Sequence, residues 1–490
     1  MHILKKVVLA LAVAYPAIAG AQTNKELKAE LEALKNQVKR LEALIEKTGA
    51  QAQQASTQAV QASSQAAQAS TQAAEVSAKV AQVADNGVDP AEFNRIRIKT
   101  EAMEDATEAN GFKGVKISGY VDPTYMYNRN AKTSSFVFLN NNSAVNGSTE
   151  TFGYDNTFFG SGMLNFEKEL EGGTKVKVSM MPSKSAGAGY NFGNLVHEAT
   201  LVVPLGDLNT RLIAGQWADW TGYEMIPSNQ NKLITHNLLF DFSAANFYTG
   251  AGMEFVNGPW DTKVMMGNLN RSRIDTGKRQ TPGLFYRVDY ARGEFNGFGF
   301  SGIHAGFDDH DQFGRLDLME VDGYFNRGDW SVQGQLSYGR QKATEYNAFS
   351  GNGTHWFGLS GLAAYKVTPR FETIARFDYI NNRGNGGGVF GSTFGGICKD
   401  TTGADANCPD GRNGFGSSMM FDGSSWVVSD PTQGTRRYAM SLGVNYALMP
   451  GVNLKGEYRY DRSSGNVFKT FDENYRKDNH VLGVSTVVSF

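Results

Sequence analysis

The chain has 490 residues with 47 basic and 49 acidic side chains, so its formal net charge at neutral pH is -2. A charge this close to zero provides no strong positive field, which argues against a nucleic-acid partner. Aromatic residues make up 12% of the chain and glycines number 56. This composition is unusual for a large soluble enzyme, but it is expected for a barrel whose alternate residues face lipid and water.

Residues 1–21 have the features of a secretory signal peptide. Lys5 and Lys6 precede the apolar run Val7 to Ala14, which is too short to span a bilayer, and Ala19-Gly20-Ala21 supplies small residues for cleavage. We therefore expect the remainder of the chain to be exported. No later window holds about 18 apolar residues, so no transmembrane helix is predicted.

Residues 22–85 are predicted to form a periplasmic coiled coil. Apolar and small residues recur at two positions of a seven-residue repeat from Asn24 to Val83. The Ala/Gln/Ser-rich part from Gln51 to Ala74 can also be interpreted as disordered low-complexity sequence, although its unbroken repeat favours helix. Because one helix cannot bury such a seam alone, self-association is expected. Val38 and Ile45 with Leu34 and Leu41 favour two strands, whereas Leu31 and the alanines do not decide between two and three.

Residues 86–114 are interpreted as a linker with a short helix. Asp89 is a suitable N-cap, Pro90 follows at the first helical position, and Gly111 follows the expected end at Asn110. The sequence does not show where this helix lies.

Residues 115–490 change to a two-residue period, which predicts a transmembrane β-barrel. In the stretch from Leu164 to Met181, apolar and charged side chains alternate around a Glu-Gly-Gly turn at 171–173. A three-residue turn places Glu167 opposite Lys177, whereas a two-residue turn would set apolar against charged residues along the whole hairpin.

Short turns and long polar segments alternate along this region. The short turns are predicted near 171–173, 206–207, 257–260, 291–297, 327–329, 368–370 and 449–451, and the largest long segments near 128–156, 218–246, 269–280 and 382–434. Short periplasmic turns and long outer loops are typical of outer-membrane barrels. The predicted fold is all-β: an antiparallel up-and-down barrel of about 16 strands with an aqueous lumen, preceded by a helical coiled-coil rod.

The final segment, His480 to Phe490, resembles the terminal strand of Gram-negative porins, which ends in Phe and is read by the barrel-assembly machinery. Phe371 to Asn382, FETIARFDYINN, is also similar to a porin strand. A rod ahead of such a barrel resembles the DcaP-like trimeric porins. The strings GYVDPTYMYNR and MLNFEKELEGGTK are similar to an uncharacterised porin-like family of proteobacteria. The resemblance implies a homotrimer in contact with outer-membrane lipid, with the rod in the periplasm.

The resemblance also implies that the third outer loop, here Ala218 to Asn246, folds inward and narrows the pore. We predict a pore constriction in which acidic loop residues face charged wall residues; each residue taken singly is also compatible with a merely solvated lumen position. The candidates are Asp219, Glu224 and Asp241 on the loop, and Arg211, Lys175, Lys177, Glu254, Arg287, Glu372 and Arg376 on the wall. Inward charges balance closely, so the sequence indicates neither anion nor cation preference.

The function predicted from these features is a passive diffusion channel for small hydrophilic solutes, without enzymatic activity, cofactor or metal site. The transported solute is not readable from the sequence. An alternative with the same fold is a structural or adhesive protein whose barrel anchors the rod, and whether the rod contacts the cell wall is likewise not readable. Cys398 and Cys408, the two cysteines of the chain, are close together in a polar stretch and are expected to form a disulfide within one loop.

Overall fold

The computed structural model describes residues 32, 35, 94–101, 114–139, 159–182, 195–243, 247–270, 282–292, 295–306, 315–341, 353–384, 397–409 and 414–490. Two compact units divide the chain, Met1–Lys113 and Gly114–Phe490. In the first unit, residues 32, 35 and 94–101 are helical. The predicted signal peptide and nearly all of the predicted coiled coil lie outside the described residues, so both stay predictions. No helix in the described part of the chain is long and apolar enough to cross a membrane.

The second unit is a closed antiparallel barrel of sixteen strands, which confirms the predicted architecture. Successive strands pair with each other around the ring, and the last strand pairs with both its predecessor and the first strand. Thr124 lies opposite Ser485 at this closing seam. A closed ring leaves no unpaired sheet edge.

Eighteen strand segments build the sixteen strands, because two strands are interrupted. The first strand breaks at Asp122-Pro123, where proline has no N–H to donate to the ladder. The second strand is interrupted by residues 138–161, and its two parts pair with the two parts of the first. The barrel segments are β1 (Val115–Val121), β2 (Thr124–Asn128), β3 (Thr133–Val137), β4 (Gly162–Glu169), β5 (Lys175–Met180), β6 (Val196–Leu205), β7 (Asp207–Ala218), β8 (Phe247–Asn257), β9 (Trp260–Asn270), β10 (Gly283–Arg292), β11 (Asn296–Ala305), β12 (Leu316–Arg327), β13 (Trp330–Gln341), β14 (Thr354–Thr368), β15 (Phe371–Asn381), β20 (Arg436–Met449), β21 (Val452–Ser463) and β24 (Asp478–Ser489).

Shorter elements lie in the long connections. Two helical turns, the 3-10 helix Ser228–Gln230 and the α-helix Leu238–Ser243, follow β7. Three two-stranded hairpins follow β15 and β21: β16 (Ile397–Lys399) with β17 (Asp405–Asn407), β18 (Met419–Phe421) with β19 (Trp426–Val428), and β22 (Phe468–Lys469) with β23 (Tyr475–Arg476).

Side chains alternate across the barrel wall as the two-residue period predicts. On β13, Leu336 is 60% exposed on the outer face and Tyr338 is 49% exposed, whereas Gln335 and Ser337 are buried inside. The same alternation continues on the other strands: the exposed face is apolar, and the inner face carries polar and charged side chains together with a buried apolar cluster that packs against loop residues and includes Phe285 and Trp356. This distribution suits a barrel whose outer face meets lipid.

The hairpin from β4 to β5 has the predicted register. Glu167 lies opposite Lys177 and Glu169 opposite Lys175. Gly172 and Gly173 both have positive φ, 83° and 81°, a conformation that a residue with a side chain rarely adopts. The connections from β6 to β7, β8 to β9, β12 to β13, β14 to β15 and β20 to β21 are also short and lie at this same end. The connections at the opposite end are longer, except for the short turn of residues 129–132 between β2 and β3.

Candidate functional site

The connection between β7 and β8 lies inside the barrel. Its described part, residues 219–243, is called loop 3 below, since it is the third connection at the end that carries the long loops. Asn237 and Leu238 in this loop have no exposed surface. Loop 3 contacts inward-facing residues on strands from β10 to β24, so it occupies much of the lumen.

Arg376 on β15 anchors loop 3. Its guanidinium forms ion pairs with Glu224 of the loop at 2.8 Å and with Asp378 of its own strand at 3.1 Å. It also donates hydrogen bonds to the main-chain carbonyls of Thr235 at 2.6 Å and His236 at 2.9 Å. A buried guanidinium is stable only with this density of acceptors. One side chain therefore fixes both the loop backbone and an acidic loop residue.

Two neighbouring residues on β21 bind the same turn of the loop. Glu457 accepts hydrogen bonds from the N–H groups of Ile234 and Thr235, both at 2.8 Å, and from the Thr235 hydroxyl at 2.5 Å. Arg459 donates to the carbonyl of His236 at 2.6 Å. Charged wall groups thus satisfy loop backbone groups that would otherwise be buried without partners.

Two lysines hold the middle of loop 3. Lys455 on β21 donates to the carbonyls of Ser228 at 2.7 Å and Asn231 at 2.6 Å. Lys232 of the loop forms an ion pair with Glu372 on β15 at 2.6 Å. The wall therefore contacts the loop through charges of both signs.

The start of loop 3 is held by β8 and β10. Asp219 accepts hydrogen bonds from the Thr221 N–H at 3.0 Å and from the Tyr248 hydroxyl. Arg287 on β10 donates to the carbonyl of Trp220 at 2.5 Å and forms an ion pair with Asp322 at 2.9 Å. Both ends of the loop are thus fixed to the wall.

Two wall glycines make room for loop leucines. A Cβ on Gly443 would lie 2.2 Å from the Leu233 side chain, and one on Gly358 would lie 2.4 Å from Leu239. Real Cβ atoms do not approach so closely, so the wall is shaped to receive this loop.

Burial shifts the pKa values of two loop residues. Burial raises the pKa of Glu224 above its usual range, while the neighbouring Arg376 acts in the opposite direction. Burial lowers the pKa of His236 to about 3. The His236 ring, stacked on Phe240 with centroids 3.9 Å apart, is therefore neutral at physiological pH.

A cavity of about 260 Å³ separates loop 3 from the opposite wall, formed by β1 and β4 to β7. Its wall side carries Asn165, Glu167, Lys177 and Glu198, and its loop side includes Glu224. Lys177 and Glu198 form an ion pair at 2.7 Å. Towards the long loops, the cavity is bordered by an apolar cluster, of which Met163, Ile226 and Phe240 line the cavity. The cluster consists of Tyr120, Met163, Met181, Ile226, Phe240 and Phe247.

Later loops cover loop 3 from the outer end. The guanidinium of Arg437 lies 5.0 to 5.2 Å from the ring centres of Phe242 of loop 3, Phe415 and Phe468. Arg437 also forms an ion pair with Asp461 at 2.8 Å. Cation–π contacts of this kind are strengthened by burial. The arginine thus joins loop 3 to the segments that follow β15 and β21.

Cys398 and Cys408 form a disulfide across the β16–β17 hairpin, with Cα atoms 5.1 Å apart. In the part of the chain that the structure describes, no group of three or more His, Cys, Asp or Glu side chains is placed to hold a metal ion.

Residues 3–282 and 295–490 match the family described as protein of unknown function (DUF3138). The chain belongs to this family. No curated protein matches the sequence of this chain.

Several solved structures of other proteins are similar to this DUF3138 member, each at a TM-score of 0.47. They include the trimer form of OmpT of Vibrio cholerae (10% identity, covering 77% of this chain and 99% of that one), an anion-selective porin from Comamonas acidovorans (11%, 77% and 99%), and the outer-membrane channel DcaP of Acinetobacter baumannii (13%, 77% and 97%). The assignment of a closed barrel rests on the strand pairing described above.

In this DUF3138 member, six of the predicted constriction residues take part in loop 3 contacts with the wall. Glu224 contacts Arg376, Glu372 contacts Lys232, and Arg287 binds the loop backbone. Asp241 lies 3.9 Å from Arg459, and Asp219 accepts a hydrogen bond from the Tyr248 hydroxyl. Their role in a constriction stays a prediction.

The other four predicted residues lie apart from this wall contact. Lys177 lines the cavity, as Asp219 also does. Arg211 and Glu254 pair with each other at 2.9 Å, and Lys175 lies 3.6 Å from Glu169 at the exposed turn.

Sequence reasoning missed several residues that bind loop 3 and its cover, namely Lys455, Glu457, Arg459, Arg437 and Asp461. For three of them the signal was present in the alternation of β21, where Lys455, Glu457 and Arg459 fill the positions between Leu454, Gly456, Tyr458 and Tyr460. The alternation does not predict the path that a loop takes across the lumen.

Proposed function

We propose that this protein is an outer-membrane porin, a passive diffusion channel for small hydrophilic solutes. The observation that carries the proposal is a loop folded into the lumen of a closed barrel and bound there by charged wall residues, next to a charged cavity. A porin performs no bond chemistry. It lowers the barrier for a solute through the width and charge of its passage.

The route that we propose runs along the cavity between loop 3 and the wall of β1 and β4 to β7. A volume of about 260 Å³ suits small solutes. The apolar cluster closes the end of the cavity towards the long loops, so passage requires its side chains to move. Met163 and Met181 suit this role because methionine is unbranched and has three rotatable side-chain bonds.

The proposal places the barrel in the outer membrane and residues 22–85 in the periplasm as a trimerisation stalk. The exposed apolar outer face supports contact with lipid. The seven-residue repeat supports self-association, and the homotrimer is proposed from the resemblance to trimeric porins.

Recording from purified protein in planar lipid bilayers tests the channel. We expect discrete conductance steps, grouped in threes if the protein is a trimer. Folding of the sample is checked beforehand by the heat-dependent shift in gel mobility that intact barrels show. A folded protein that carries no current would contradict the proposal.

One observation favours the second candidate, a barrel that only anchors the rod. Loop 3 occupies much of the lumen, and Phe415 and Phe468, both nearly fully buried, cover it. An electrically silent but folded barrel whose residues 22–85 bind isolated cell wall would support this anchor function.

A further inference from the structure

We infer that the passage beside loop 3 prefers cations to anions, and that Glu167 is a selectivity-determining residue. The inference rests on the proposed channel function. The solutes expected to pass are small cations. The sequence alone indicated no ion preference, because its inward charges balance closely.

The charged groups that line the cavity are mostly acidic. Among the described residues, the lining includes four carboxylates, those of Glu167, Glu198, Asp219 and Glu224, but a single ammonium group, that of Lys177. Lys177 and Glu198 lie 2.7 Å apart and largely cancel each other's charge. The lining therefore has a negative balance.

Glu224 is only partly neutralised by its arginine. Arg376 forms ion pairs with Glu224 at 2.8 Å and Asp378 at 3.1 Å, and it lies 3.9 Å from Glu457. Arg376 is thus shared among three carboxylates, while Arg459 also acts on Asp378 and Lys455 on Glu457 and Glu224. Within the cavity lining, the charged groups of the loop face are the carboxylates of Asp219 and Glu224.

The basic wall groups are used to hold loop 3 and do not line the cavity. Arg376, Arg459, Lys455 and Arg287 all donate to main-chain carbonyls of the loop. The wall-bound side of loop 3 therefore carries charges of both signs, since Glu372 and Glu457 also contact the loop there, whereas the cavity side carries mostly carboxylates. Lys116 lies opposite Glu167 in the strand pairing, but it is exposed and is not part of the lining.

A negative lining in a narrow passage concentrates cations and excludes anions. The Debye length at 0.15 M salt is about 8 Å, so carboxylates in a cavity of this size act across its whole width. Glu167 can be substituted without disturbing loop 3. It is half-buried on β4 near the short-turn end, away from the wall residues that bind the loop.

The zero-current potential in a potassium chloride gradient tests the inference. We expect the wild-type channel to prefer K⁺. Glu167→Gln should lower the K⁺/Cl⁻ permeability ratio about twofold, from removal of one charge screened over roughly one Debye length. Glu167→Lys should lower it further, and Lys177→Gln should raise it.

Glu169→Gln is the matched control. Glu169 is on the same strand and the same face as Glu167, two residues nearer the turn, but it does not line the cavity. Its substitution should change the ratio by less than half as much. A conducting wild-type channel that prefers Cl⁻, or equal shifts for the two glutamine variants, would overturn the inference while leaving the channel function intact. A folded but silent protein would instead contradict the channel function itself.

Discussion

Single residues of the barrel wall act on the backbone of loop 3 more than on its side chains. Arg376, Arg459 and Lys455 each donate to loop carbonyls, and Glu457 accepts from loop N–H groups. A loop that crosses the inside of a protein must satisfy its peptide groups without a sheet partner. Buried charges provide that satisfaction here, because charge-assisted hydrogen bonds are stronger than neutral ones.

Arg376 is therefore expected to be the most sensitive of these positions. Arg376→Ala removes the cation that Glu224 and Asp378 share and a donor to the Thr235 carbonyl, so it should lower the free energy of unfolding by about 3–5 kcal/mol. Urea unfolding in detergent micelles measures this change. Arg211→Ala is the control: Arg211 is partly exposed, and its partner Glu254 keeps Lys263 at 3.2 Å. The control should cost about 1 kcal/mol or less. Equal losses would contradict the anchor role of Arg376.

His236 makes the stability of loop 3 depend on pH. Its folded-state pKa is lowered from 6.5 to about 3, so the unfolded chain binds a proton in this window that the folded protein excludes. Stability should then fall as the pH decreases below 6.5, by up to about 1.4 kcal/mol per pH unit. The measurement compares the unfolding free energies of wild type and His236→Gln from pH 7 to pH 4. Because the two proteins differ only at this residue, the difference between their free energies isolates the contribution of His236. A difference in unfolding free energy that stays constant with pH would contradict this assignment.

At the scale of elements, strands were predictable from sequence and the path of loop 3 was not. The register of β4 on β5 followed from placing Glu167 opposite Lys177, because a shift of one residue would reverse both faces. Loop 3 has no such period. Its anchors Glu457 and Arg459 are more than 200 residues away in the chain and meet it only after the ring closes. A loop–wall contact was expected from resemblance, yet its partners required the structure.

The apolar cluster at the end of the cavity should act as a barrier to ions. Water and ions avoid a narrow apolar constriction, so Met163→Ser, which introduces a hydroxyl and removes volume there, should raise single-channel conductance. Leu164→Ser is the matched control, since it changes the next residue of β4 on the outer face. Its conductance should equal that of wild type. If both variants conduct alike, the cluster is not the barrier.

At the scale of the whole molecule, closure of the ring is the feature that the sequence predicted best. The change from a seven-residue to a two-residue period near Val115 coincides with the boundary between the two compact units, at Gly114. Alternation, an even strand count and short turns at one end follow from the need to pair every strand within lipid. The rod-forming segment is predicted from its repeat alone.

The two units are expected to fold separately, which a truncation can test. A chain of residues 114–490 retains every strand of the barrel and its closing seam, so it should refold in detergent with a β-type far-ultraviolet circular dichroism spectrum. The mature chain should add a helical signal of about 60–80 residues, which matches the predicted rod and linker helix. Cross-linking should trap trimers of the mature chain more efficiently than those of the truncated one, because the seam of the rod is buried only by self-association. A truncated chain that fails to refold would show that the barrel depends on the first unit. Equal helical signals in the two chains would contradict the rod.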